Sequence, residues 1–229
     1  MIDFMLFITT TLLKSMFVIS GLLPILNPPG HAPLFLSATK GMKKEERKKI
    51  AKTSAVYCFF IIISTMIIGV YILSLFDLSI DIVEVSGGIL VAKLGWDMLG
   101  DENPESPLHN AEGVIENTDP DMTSKSFYPI AFPLTVGPGT ISVAIALSAN
   151  LQSSSSGIKD FSAAIVGALL ATGIVCFTIY LSYAYAEKIS DKLGVNGKNV
   201  VLKLSAFLLF CVGIQILWNG TTNLLISIR

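Results

Sequence analysis

The sequence predicts an all-α, polytopic membrane protein: six transmembrane helices as two inverted three-helix repeats, with helices 1 and 4 broken at Pro/Gly motifs. Three observations predict it. Of 229 residues, 52% are hydrophobic and only 14% charged, and the mean hydropathy is +0.67, which excludes an ordinary soluble domain and any basic face for nucleic acid. Uncharged apolar runs of membrane-spanning length recur, with lysine and arginine bunched between them. A short string is written twice, Pro24-Ile25-Leu26-Asn27-Pro28-Pro29-Gly30 and, 109 positions on, Pro133-Leu134-Thr135-Val136-Gly137-Pro138-Gly139.

A span needs about 20 mostly apolar residues. The first runs from Ser15 to Thr39, and because residues 1–14 are apolar too, its helix is expected to be long, tilted or bent. No basic start precedes that run and no small-residue cleavage site follows it, so it reads as a helix and not as a cleaved leader. Lys14 is expected to snorkel toward the outer interface. The second span is Thr53 to Phe76. The third, Ile82 to Gly100, carries Glu84, Lys93 and Asp97 around an apolar Gly87-Gly88-Ile89-Leu90-Val91-Ala92 core. Phe127 to Leu151, Phe161 to Ala186 and Leu204 to Ile228 complete the set. Cys58, Cys176 and Cys211 fall inside apolar runs, with neither disulfide nor metal-ligand spacing, and read as small core residues.

Positive charge collects between spans one and two, Lys40 to Lys52, and between spans five and six, Lys188 to Lys203, which places both loops inside. The links 77–81 and 152–160 fall outside, and six spans leave both termini outside. Repeat 1 covers about 1–100, an acidic loop 101–126, and repeat 2 about 127–229. The acidic loop reads as a solvated linker. Three crossings return the chain on the opposite side, so the second repeat is inverted relative to the first.

Proline and glycine remove backbone hydrogen bonds that lipid cannot replace, so paired breaks are tolerated only where protein or a wet cavity covers them. Corresponding breaks in two halves of a membrane chain point to a transporter's substrate site. New half-helices are expected after Gly30 and Gly139, with free N–H groups and a positive dipole end that suit an anion such as a carboxylate. Carbonyls released before Pro28, Pro29 and Pro138 suit an ammonium or a cation. Asn27, Thr135 and Thr140 add side-chain hydrogen bonds, and His31, at the start of a half-helix, is a residue that can carry a proton near neutral pH. The expected binding set is therefore Asn27, Pro28, Pro29, Gly30, His31, Thr135, Val136, Gly137, Pro138, Gly139 and Thr140, joined by Gln215. A compact zwitterion fits both polarities. The bland alternative is a pair of kinks closed by helix packing, with Asn27 capping a short helix.

Other polar residues read more plainly. Gln215 and Asn219 share a face of the last helix and serve either the site or helix packing. Lys93 and Asp97, also four apart, are expected to form a structural ion pair. Glu84 belongs near the outer end, and Trp96 and Trp218 read as interfacial or packing residues.

The chain resembles the MarC family of inner-membrane proteins, which includes SnatA-type small neutral amino-acid transporters. The resemblance rests on Asn27-Pro28-Pro29-Gly30 with Pro33, the Lys-rich stretch 43–52, the Gly87-Gly88 span, Phe132-Pro133-Leu134 with Gly137-Pro138-Gly139-Thr140, and the stretch 215–220. It covers nearly the whole chain. It implies six spans, inverted repeats, and transport of glycine, alanine and related amino acids, with coupling to a proton or sodium gradient suggested.

The expected function is thus secondary transport of a small neutral amino acid across the cell membrane by alternating access. A channel, or an exporter of drugs or other small metabolites using the same broken helices, is the competing reading. No HExxH, no nucleophile beside a histidine and no facing aspartate pair occurs in the spans, so an enzyme is not expected, and no cofactor or metal is called for.

Overall fold

The computed structural model describes residues 2–100, 126–153, 155 and 157–227, and every regular element among them is helical. The expected acidic loop, and His109 within it, lies outside the described residues. Helix α1 spans Ile2–Leu26 and α2 spans Pro28–Ala38, with Asn27 between them. After a turn at residues 39–43 follow α3, Lys44–Leu75, and α4, Ile80–Gly100. The second part holds an irregular helical segment α5, Ser126–Thr135, then α6, Pro138–Ser153, α7, Ile158–Ala184, and α8, Ala186–Ser227.

Local chemistry accounts for the irregular places. In α5, Tyr128 (φ −116°, ψ 128°) and Phe132 (φ −132°, ψ 128°) are extended, because each precedes a proline whose ring crowds the α conformation of the residue before it. Gly194 bends α8 with φ 60°, a left-handed conformation that glycine adopts without a Cβ penalty.

Two expectations about connections change. The inner loop between spans five and six is helical: only Tyr185 separates α7 from α8, and Glu187, Lys188 and Lys192 continue the winding. The charged stretch 44–52 likewise forms the first turns of α3. Glutamate and lysine are good helix formers, so a charged segment leaving the membrane extends a helix instead of ending it.

Among the described residues, Phe4–Leu36, Lys44–Gly69, Ile158–Ala184 and Ala206–Ser227 are long and apolar enough to cross a bilayer, and the bent pair Ser126–Thr135 with Gly139–Gln152 makes a fifth candidate. The expected third span forms as α4 but does not meet that measure, because Glu84, Lys93 and Asp97 dilute it. The long helices turn large apolar side chains outward, including Leu13, Phe60, Leu170 and Phe207, a surface suited to lipid and costly in water.

The interior is held by close approach and by hydroxyl-to-carbonyl bonds. Helices α4 and α8 make the most extensive contact and run antiparallel. A Cβ on Gly88 would lie 2.4 Å from the Leu217 nitrogen, and one on Gly213 would lie 2.2 Å from the Ala92 nitrogen. Small residues permit such backbone contact between membrane helices. Ser15 Oγ donates to the Gly167 carbonyl at 3.1 Å, tying α1 to α7, and Ser54 Oγ to the Ser126 carbonyl at 2.9 Å, tying α3 to α5. Lys14 reaches the α6–α7 connection through Ser155 Oγ at 2.7 Å and the Asp160 carbonyl at 3.3 Å.

Arg47 and Glu187 form an ion pair at the opposite end of the bundle. There Lys203 Nζ also donates to the carbonyls of Met98 and Leu99 at 3.3 and 2.6 Å, closing the end of α4 with the charge that a helix C-terminus favours. The Lys-rich segments thus gather at one end, hereafter the basic end.

Gly213→Ala should lower stability by about 1–3 kcal/mol, the cost of forcing atoms into a filled interface. Gly173→Ala, where a Cβ meets nothing within 4 Å, should leave it unchanged or raise it. Thermal unfolding of the detergent-solubilised protein measures both.

Candidate functional site

At the first break the chain leaves α1 through Asn27, whose φ of +36° is positive, a conformation asparagine tolerates better than most residues. Its N–H still donates to the Leu23 carbonyl at 3.0 Å, and the Asn27 carbonyl accepts from the His31 N–H at 3.1 Å. Asn27 Oδ1 accepts from the Gly30 N–H at 3.2 Å. Asn27 is therefore the N-cap of α2, with Pro28 and Pro29 in its first turn, where a missing N–H costs nothing.

Two sequence expectations are corrected here. The half-helix begins at Pro28 and not after Gly30, since proline is pre-organised for a helix start. Its amides are also not free: Pro28 and Pro29 have none, and those of Gly30 and His31 are both engaged. What the first break does release is acceptors. In a continuous helix the carbonyls of Pro24 and Ile25 would bond to residues 28 and 29, and both are prolines. His31 sits against the backbone of Leu26, and its Nδ1 is buried without a hydrogen-bond partner.

The second break is built differently. Helix α6 starts at Pro138, two residues before the expected Thr140, and the Gly137 carbonyl accepts from the Ile141 N–H at 3.1 Å. Gly137 occupies the N-cap position and has no side chain to offer, so the amides of Gly139 and Thr140 receive no cap from it. On the other flank, the Val136 N–H donates to the Ala131 carbonyl at 2.9 Å and Thr135 Oγ1 to the Ile130 carbonyl at 2.7 Å. Thr135, Val136 and Thr140 are buried.

The two breaks meet. Ile25 Cδ1 lies 3.6 Å and Val91 Cγ2 3.0 Å from where a Cβ on Gly139 would stand, so the end of α1, the start of α6 and the middle of α4 converge. Leu147 packs on Gly21 further along the same pair, which makes α1 and α6 antiparallel, with the breaks at the same level. Tyr183 of α7 bridges both: its ring stacks on Phe35 of α2, centroids 4.3 Å apart, and its hydroxyl lies 2.7 Å from Thr135 Oγ1.

The binding residues expected at the two breaks are thereby gathered in one region, and Gln215 is not. It is exposed on α8, where its Nε2 donates to Asn219 Oδ1 at 2.9 Å. Lys93 and Asp97 pair at 2.8 Å on an exposed face of α4, and Glu84 packs on Gly220 with Oε2 buried and unpartnered. A cavity of about 320 Å³ lies elsewhere, between α3, α6 and α7, bordered by Met66, Tyr71, Ser148, Gln152 and Phe161 and by no residue of either break. Sequence reasoning missed Tyr183 and Phe35. The available signal was a tyrosine in the interior of an otherwise apolar span.

Comparison with known proteins gives a consistent result. The model of the family described as "MarC family integral membrane protein" matches residues 12–225. The chain is similar to UPF0056 membrane protein YvbG of Bacillus subtilis, 32% identical over 89% of this chain and 92% of the relative. It is 30% identical to UPF0056 membrane protein MJ1677 of Methanocaldococcus jannaschii, over 90% of this chain and 95% of the relative. With UPF0056 inner membrane protein MarC of Escherichia coli K12 it shares 28% identity over 89% and 92% of the two chains. No solved structure matches.

Asn27→Ala should cost about 1–2 kcal/mol through the lost cap. Gly30→Ala should act through the same bond, since a Cβ there would stand 2.1 Å from Asn27 Nδ2 and expel the capping side chain. Thermal unfolding of the singles and the double should therefore show the double no less stable than the worse single; additive losses would mean the two residues act separately.

Proposed function

We propose that this chain, which belongs to the MarC family of integral membrane proteins, is a secondary transporter of small neutral amino acids such as glycine and alanine, located in the inner membrane. The observation that carries the reading is the meeting of the two breaks. One offers uncapped amides at a helix N-terminus, which suit a carboxylate. The other offers carbonyls with no amide partner, which suit an ammonium. At Gly139 even a Cβ would stand 3.0 Å from Val91 Cγ2, which restricts any ligand there to a compact one.

On this reading the chain forms two inverted three-helix repeats, about 1–100 and 127–229, with α4 as the remaining span. Antiparallel pairing of α1 with α6 and of α4 with α8 supports that arrangement. Rocking of one bundle against the other would expose the breaks alternately to the two sides, and His31, with a free buried nitrogen beside the first break, is the candidate carrier if a proton drives the cycle. A second reading, export of larger apolar compounds, is favoured by the mainly apolar cavity between α3, α6 and α7.

Proteoliposomes should take up labelled glycine or alanine by counterflow, and either amino acid at millimolar concentration should raise the melting temperature while bulky or acidic ones should not. Gly139→Val, which places branched carbons against Ile25 and Val91, should cut uptake at least about tenfold, as expected when a site is closed sterically, while the protein stays inserted and monodisperse. Wild-type vesicles that exclude both amino acids but accumulate apolar dyes would favour the second reading.

A further inference from the structure

We infer that Tyr183 ties the two broken segments together at the basic end of the bundle, acting as a positioning residue whose hydroxyl bond opens when the breaks move. This rests on the transport reading above and deepens it by naming the contact through which one break senses the other.

The ring and the hydroxyl of Tyr183 hold different things. The ring lies parallel to Phe35, with an interplanar angle of 6°, and Phe35 belongs to α2, the outgoing half of the first broken helix. The hydroxyl meets Thr135, the last residue of α5 and the entry to the second break. The direction of that bond follows from proton count. Thr135 has one hydroxyl hydrogen, directed at the Ile130 carbonyl at 2.7 Å, so Tyr183 donates and Thr135 accepts. Tyr183, Phe35 and Thr135 are 1%, 0% and 2% exposed, so no water competes for the bond.

Packing explains a ring here but not a phenol, since phenylalanine fills the same stack and leaves no polar atom to satisfy. One turn beyond Tyr183, Glu187 pairs with Arg47 at the start of α3. The state described is therefore closed at the basic end. Moving α2 away from α5 in that state requires Tyr183 to give up its stack or its hydrogen bond.

The test is glycine counterflow in proteoliposomes for wild type, Tyr183→Phe, Thr135→Val, Thr135→Ser and the Phe/Val double variant, with glycine affinity read separately by calorimetry. Tyr183→Phe and Thr135→Val should each raise the rate of opening, read as the maximal counterflow rate, about fivefold, the size of one ordinary hydrogen bond, with affinity held within about twofold in Tyr183→Phe. Thr135→Ser should match wild type, and the double variant should rise no further than either single. A wild-type or lowered rate in Tyr183→Phe, or multiplied gains in the double variant, would overturn the inference. If Tyr183→Phe does not fold, the pair Thr135→Val and Thr135→Ser decides: a gain in the first alone supports the tie, and any other result overturns it. If wild type carries neither glycine nor alanine, the transport reading falls, and amide hydrogen exchange of Tyr183→Phe decides the tie instead. Faster exchange in 28–38 and 126–135 together supports it, and a change in one or neither overturns it.

Discussion

A backbone amide or carbonyl inside a bilayer has no water to bond, and each one left unpaired costs several kcal/mol. The shape of this protein depends on how that constraint is met at two places where proline interrupts the ladder. At the first, Asn27 closes the donors with its own side chain and carbonyl while two prolines contribute none. At the second, a glycine stands where a capping side chain would be. Two strings that look alike in sequence thus begin their helices differently, one capped by a side chain and the other not. On the transport reading, repetition of the motif supplies the geometry, and the choice of asparagine or glycine before the proline supplies the polarity.

The frame that holds these places together rests chiefly on close backbone approach. Helices α4 and α8 touch backbone to backbone through Gly88, Gly95, Gly213 and Gly220. Between membrane helices there is little hydrophobic drive, so contact area and serine-to-carbonyl bonds carry the association. By contrast, α2 and α5, the segments flanking the breaks, are bridged by Tyr183 through one stacked ring and one hydroxyl. On the transport reading, a glycine-packed pair beside two segments bridged by so few contacts suits a rocking bundle.

Much of this was legible in the sequence, for definite reasons. Apolar run length and the clustering of lysine identified the long helices and the basic end, because lipid punishes charge wherever it falls. Pro28-Pro29-Gly30 and Gly137-Pro138-Gly139 marked the breaks, because only these residue types interrupt a helix from within. The helix starts were placed three residues late at the first break and two at the second, since proline was read as an interruption when it is equally a beginning. Residues 44–52 and 188–203 were read as loops because charge was taken as a membrane boundary, when it is also helix-forming. The third span was harder: Glu84, Lys93 and Asp97 sit on a helix whose partner face is glycine, and a one-dimensional reading cannot tell a covered charge from an exposed one. Tyr183 stood out only as a tyrosine inside an apolar span, and its partners, 48 and 148 positions away, could not be read from that.

The opposed polarity of the breaks bears on which ligands suit them, on the transport reading. Moving a net ion into a low-dielectric interior leaves its charge poorly compensated, whereas a zwitterion presents both signs a few ångströms apart and cancels much of its own field. A carboxylate alone would meet the amides of Gly139 and Thr140 but leave the carbonyls of Pro24 and Ile25 without a donor. An ammonium alone would do the reverse. A species with both groups on adjacent carbons satisfies both breaks at once, and it does so only while the breaks are side by side. Separation of α2 from α5 would pull the two halves of the site apart and weaken the hold on each end together. Release would then follow from the same movement that opens the basic end, with no separate step to loosen the ligand.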